Sequence, residues 1–199
     1  MTPLPRLRPS RPAAGAWAVA RPAPALAAGP ARLAVALVLL ALGVVLVMGQ
    51  HEVRVIEAAA ARAPLAVLVG RAVHVPGTDL VFYPDYRGPG LRALKVTLSC
   101  SSVPLVAPLA LLGGVLAIVR RLDPRRVLVG VVLAVAAVFA VNLVRILLIA
   151  VSTSHFGLDG YEVSHRIVGS AVTVAGACVA FMVTYRVVSS VAHRPRLGR

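Results

Sequence analysis

The chain has 199 residues, of which 59% are hydrophobic and only 14% charged, and its mean hydropathy is +0.87. So apolar a chain cannot fold as a water-soluble domain, which makes it an integral membrane protein with room for one bundle and one short external lobe. Its net charge of +14 sits on arginines beside the apolar runs, where topology signals lie, and with few aromatics and no nucleic-acid motif no nucleic-acid partner is expected.

In chain order, residues 1–30 are rich in Pro, Ala and Arg (Arg6, Arg8, Arg11, Arg21) and read as a disordered basic arm. The apolar run that follows is too long for a signal-peptide core, and no A-x-A site follows it closely. Residues 31–49 are therefore expected to form a first membrane helix. Over 50–73, Glu52, Arg54, Glu57, Arg62 and Arg71 are set in an Ala/Val/Leu background at helical spacing. That pattern predicts an amphipathic helix on or dipping into the membrane, with a second crossing as the competing topology. Pro76, Gly77, Pro84, Gly88, Pro89 and Gly90 break any helix over 75–98, where LVFY and LKVTLS read as strand pieces of a small lobe.

A second span is expected over 102–119, ending in the polar turn RRLDPRR, and a third over 127–151. The arginine-free segment STSHFGLDGYEVS then leads to a fourth span over 165–188 and a basic tail, 189–199. Arginine collects on the cytoplasmic side of membrane proteins, which puts both termini and the RRLDPRR turn inside and residues 50–99 outside. The expected fold class is an all-α membrane protein with residues 31–188 as one domain. It comprises about four transmembrane helices, an amphipathic or re-entrant helix and a small extracytoplasmic lobe.

In that topology three reactive side chains fall at one membrane face. Cys100 opens the second span, Arg145 lies in the last turns of the third, and His165 opens the fourth. A guanidinium in a membrane helix costs about 2.5–3.5 kcal/mol at its centre and usually marks function. Asn142 lies three residues earlier on the same helix face. Cys100 stands among Ser99, Ser101 and Ser102 at a helix start, where backbone N–H groups and the helix dipole stabilise a thiolate. Pro104 fits that boundary. Glu162 is placed to hold the His165 ring, and Gly169, one turn on, lets another helix approach. Arg166 reads as a headgroup anchor, His155 as structural or solvent-facing, and His51 and His74 have no reactive partner near in sequence. Cys178, deep in the last apolar run, reads as a small buried hydrophobe with no disulfide to Cys100. No metal or nucleotide motif is present, and no cofactor is expected.

Three short motifs in order, SCSS around Cys100, NLVRI with Asn142 and Arg145, and SHRIVG with His165 and Gly169, resemble the exosortase/archaeosortase family of membrane transpeptidases. The likeness covers 98–174 and places each motif at the membrane boundary where that family carries it. Here Ser101-Ser102 follows the cysteine, where the family usually has Ser-Gly. The resemblance implies a compact Cys–Arg–His transpeptidase with Cys100, Arg145 and His165 as its catalytic residues. It also implies a partner protein anchored in the lipid membrane by a C-terminal helix with a basic tail. The competing expectation is a non-catalytic scaffold in which Arg145 and Asn142 pair with a partner helix. A small transporter is a weaker third, because the spans show neither a repeat nor a broken helix pair.

Overall fold

The computed structural model describes residues 29–189 except Arg87 and Arg121. All but the last two residues of the basic arm and all but the first of the tail therefore lie outside the described residues. The elements are α1 (Pro30–Met48), α2 (Gln50–Val69), β1 (Val73–His74), β2 (Leu80–Pro84), β3 (Leu91–Lys95), α3 (Val103–Ile118), α4 (Pro124–Val163) and α5 (Gly169–Ser189). A single 3-10 turn, Leu98–Cys100, leads into α3, and a π turn, Ser164–Val168, joins α4 to α5.

Proline stands first in α1 and α4 and second in α3, where its missing N–H costs nothing. Asp123 also caps α4, accepting the Arg125 backbone N–H at 3.0 Å. Two helical stretches are long and apolar enough to cross a membrane: α1, and the 66-residue run Pro124–Ser189. The 16-residue α3 is apolar but shorter.

The third and fourth segments are not separated by a loop. The helix expected over 127–151 continues to Val163, and only Gly157 breaks it, at φ 70° and ψ −143°. That backbone region is essentially closed to residues with a Cβ. The break turns the chain back on itself. Gly130 then lies against Thr184 and Val187, Gly176 against Val141, and Gly169 against Arg145, so rising numbers on one arm meet falling numbers on the other. His165 therefore stands about two turns inside the returning arm rather than at a helix start, because Gly157 makes the whole turn that STSHFGLDGYEVS was expected to make.

The other helices alternate in direction as well. Gly43 of α1 meets Ala107 and Leu111 of α3, while Gly114 meets Leu40 and Ala36. Gly113 of α3 packs on Val131 of α4, and Val106 on the same side as Val138. Such close crossings through small residues are how helices associate where water gives no hydrophobic drive. At the far end, the Arg32 guanidinium donates to the Val119, Arg120 and Leu122 carbonyls, tying the start of α1 to the α3–α4 turn.

Helix α2 follows α1 after one residue, Gly49, and ends at Gly70 in the left-handed region, φ 78°. Its buried stripe is Glu57, Ala58, Ala61, Leu65 and Val69, an i, i+4 repeat. The amphipathic helix is present, four residues shorter than expected. Its stripe faces α4 and β2 through Ile146, Ile149, Ala150, Val81 and Tyr83, and Val67 and Leu68 point outward. The lobe is a three-stranded antiparallel sheet ordered β1-β2-β3, so the fold is not purely helical. Of the expected strand pieces, LVFY lies in β2. LKVTLS overlaps β3 only at Leu94 and Lys95, since the chain turns into the 3-10 turn at Leu98. Arg54 pairs with Asp79 at 3.9 Å, joining α2 to the lobe beneath β2.

Candidate active site

The alternating directions bring the turn before α3, the arm of α4 that precedes Gly157 and the π turn of the returning arm to one end of the bundle. Cys100 Sγ and His165 Nδ1 lie 3.5 Å apart, a sulfur–nitrogen hydrogen bond across 65 residues of sequence. Cys100 is 6% exposed, and His165 is partly open. The imidazole stacks on Tyr161, one turn before it, with ring centroids 5.2 Å apart and planes 7° from parallel. Glu162, expected to orient that ring, is exposed on the outer face, so Tyr161 fixes the ring by stacking instead.

Arg145 is 8% exposed, and its Nη1 donates to the Ser99 carbonyl at 2.8 Å. Its Nε is buried with no hydrogen-bond partner, a donor with unused capacity. Gly169 makes this position possible: a Cβ there would come within 2.8 Å of Nε and 3.4 Å of Nη2. The expected role of Gly169 is thus narrowed. It admits one side chain, the Arg145 guanidinium, against bare backbone. Asn142, one turn before Arg145, donates from Nδ2 to the Cys100 carbonyl at 2.9 Å. The two residues of the NLVRI motif therefore hold two successive carbonyls of the cysteine loop.

The N-terminus of α3 works differently from the expected thiolate cradle. Cys100 lies in the 3-10 turn, three residues ahead of Val103. The first free amides are already taken: Ser102 N–H by the Glu57 carboxylate at 2.7 Å, and Val103 N–H by Ser101 Oγ at 3.3 Å. The thiol's partner is consequently His165 and not the helix amides. Ser102 has helical torsions, φ −73° and ψ −17°, so the position where the family usually carries glycine imposes no left-handed backbone here. Ser99 is exposed, with its hydroxyl 2.9 Å from that of Thr97.

Glu57 is the residue that sequence reasoning missed. It reads as one more charge on the polar face of an amphipathic helix, yet it is fully buried. Its Oε1 accepts from Ser102 N–H and from Asn142 Nδ2 at 3.0 Å, and Oε2 has no partner. A signal was available in IEAAAARAPLAVLV: Glu57 repeats at four-residue intervals with Ala61, Leu65 and Val69, the apolar stripe.

The remaining candidates stand apart. Cys178 is exposed rather than buried, because α5 meets α4 through Gly169, Gly176 and Ala180, and residue 178 falls on the opposite side. Both cysteines are free thiols. His155 is exposed and stacks on Tyr86 of the lobe at 4.8 Å, and His74 Nε2 meets the Thr78 carbonyl at 2.8 Å, so both are structural. His51 and Arg166 are exposed. Among the described residues no His/Cys/Asp/Glu group has the clustering that would hold a metal ion.

Below Arg145 and Asn142, a cavity of about 20 Å³ lies between α3, α4 and α5, and Ser101, Ser102 and Thr173 add hydroxyls to its wall. It shares Leu105 and Val138 with an apolar groove of about 530 Å³ that runs on between α3 and α5 toward Leu116 and Tyr185.

The family model described as transmembrane exosortase matches residues 67–182, more than half of the chain, and the matched stretch contains Cys100, Arg145 and His165. Comparison with curated proteins and with solved structures returns no match.

Proposed function

Because this chain belongs to the transmembrane exosortase family, we propose that it is a cysteine transpeptidase acting at the extracytoplasmic membrane face on a protein anchored by a C-terminal helix. The observation that carries the reading is the 3.5 Å contact between Cys100 Sγ and His165 Nδ1, a nucleophile within reach of a base. In this reading His165 takes the thiol proton as the sulfur attacks a juxtamembrane peptide carbonyl. A C–S bond forms, the oxyanion collapses, the C–N bond breaks, and His165 passes the proton to the departing amine. The product is a thioester on Cys100 and a released C-terminal anchor. An acceptor amine or hydroxyl, deprotonated by His165, then attacks the thioester and restores the thiol. With water as acceptor the outcome is proteolysis. Arg145 faces the developing oxyanion with the guanidinium donors that Ser99 does not take up.

The topology that suits this chemistry has four crossings, α1, α3 and the two arms broken at Gly157, with both termini cytoplasmic. Supporting it are the alternating helix directions and the joining of Arg32 to the arginine-rich α3–α4 turn. The substrate helix is assigned to the groove between α3 and α5, whose upper end runs into the cavity under Arg145. From Leu105 to Leu116 that groove follows α3 for about 16 Å at 1.5 Å per residue, half a bilayer core. The scaffold reading is weaker, since Arg145 and Asn142 satisfy bonds inside this chain and are not presented to a partner helix.

The test is intact-mass analysis of the protein purified from cells that process such a substrate. A hydroxylamine-labile acyl adduct is expected on Cys100, with both adduct and processing lost in Cys100→Ala while the bundle still assembles. Undiminished processing by Cys100→Ala removes the proposal.

A further inference from the structure

We infer that Glu57, which lies ten residues ahead of the matched stretch 67–182, is a positioning residue for the Cys100 thiol. The inference rests on Cys100 being the nucleophile. Glu57 is fully buried, and burying a carboxylate is unfavourable by several kcal/mol unless its oxygens are well bonded. No Lys or Arg stands within salt-bridge distance of it among the described residues, and one of its oxygens has no partner at all. Stability alone would favour an apolar side chain in this stripe of alanines.

What the carboxylate does is hold the cysteine loop by two routes. It accepts the Ser102 N–H directly at 2.7 Å, and it accepts Asn142 Nδ2 at 3.0 Å while that same nitrogen donates to the Cys100 carbonyl at 2.9 Å. Glu57 thereby fixes both the chain after Cys100 and the amide that fixes Cys100 itself. Arg145 holds the residue before, through the Ser99 carbonyl. The sulfur–imidazole distance is set by these three anchors, because Cys100 and His165 come from different elements with no shared backbone. Displacements of about 1 Å at a reacting pair typically change rates by about 10²-fold.

The test uses the full chain in detergent with Cys178→Ala, which leaves Cys100 as its single thiol, and iodoacetamide as probe. Glu57→Ala is expected to slow Cys100 alkylation about tenfold, to the rate of His165→Ala, since both uncouple sulfur from imidazole. Glu57→Met fills the space without an acceptor and should match it if the alanine variant fails to assemble. Glu57→Gln keeps an acceptor oxygen for both donors and should stay within about threefold of the parent.

A Glu57 that only stabilised the fold would give the opposite sign, as a loosened bundle exposes Cys100 and speeds its reaction. Unchanged or faster alkylation in Glu57→Met overturns the inference, and so does Glu57→Gln falling as far as Glu57→Met. If the parent reacts no faster than His165→Ala, the nucleophile assignment fails and this inference with it. A reactive parent indifferent to Glu57 overturns this inference alone.

Discussion

Arg145 serves two directions at once: one nitrogen holds the Ser99 carbonyl, and the rest of the planar fork lies over Gly169 toward the site. A lysine ammonium is a point charge on a flexible stem and cannot keep two donors at fixed angles. Arg145→Lys is therefore expected to lower processing by about 10²-fold or more, the scale of losing one oxyanion donor. Assembly should be retained, as size-exclusion profiles would show, and near-parental turnover would reduce Arg145 to an anchor. At this scale the sequence was informative wherever a residue broke the rules of its surroundings. Arg145 and Asn142 stand out in an apolar run, and Cys100 and His165 stand out by their place at its rim. Glu57 did not stand out, because a charge on an amphipathic helix is ordinary. Whether it faces solvent or the bundle is decided by which stripe meets α4.

Among the elements, the helical hairpin of α4 and α5 does most to bring the site together. It carries Asn142 and Arg145 on one arm and His165 on the other, and Gly157 sets how the arms meet. A Cβ at φ 70°, ψ −143° is strained by about 1–3 kcal/mol. Gly157→Ala should lower the thermal midpoint in detergent and slow alkylation of Cys100 as His165 moves. Gly88→Ala, at an open position without positive φ, should do neither. An unshifted midpoint in Gly157→Ala would show that the hairpin does not depend on this torsion. The turn falls inside the expected segment but is far tighter than a loop, for a physical reason. Residues 152–164 are polar enough to suggest a loop, but nothing except Gly157 prevents their forming helix. Ser154, whose hydroxyl donates to the Val151 carbonyl, is satisfied inside it.

For the molecule as a whole, charge and helix direction support the proposed orientation. Arg32 and the α3–α4 turn that it binds lie at one end of the described helices, and the acidic Asp159 and Glu162 lie at the other. Single cysteines at positions 123 and 159 in a chain lacking Cys100 and Cys178 provide the check. With a membrane-impermeant maleimide on intact cells, position 159 should be labelled and position 123 only after lysis. Labelling of both from outside would invert or abolish the proposed topology. The groove between α3 and α5 belongs to this scale too, since it exists only because α4 holds those two helices apart.

Composition alone determined that the chain lives in a membrane, and its arginine pattern determined the expected orientation, because the transfer of apolar and charged groups between water and lipid depends on residue type and not on fold. The spacing of apolar runs also placed Cys100, Arg145 and His165 near one rim. Tertiary structure alone decided that His165 is the thiol's partner, that the α3 amides are occupied by Glu57 and Ser101, and that Gly169 seats a guanidinium. Apart from the local Ser101 bond, those are contacts of a few ångströms between residues 24 to 65 positions apart in the chain. They depend on how each helix is rotated about its axis, and the packing of all five helices together sets that rotation.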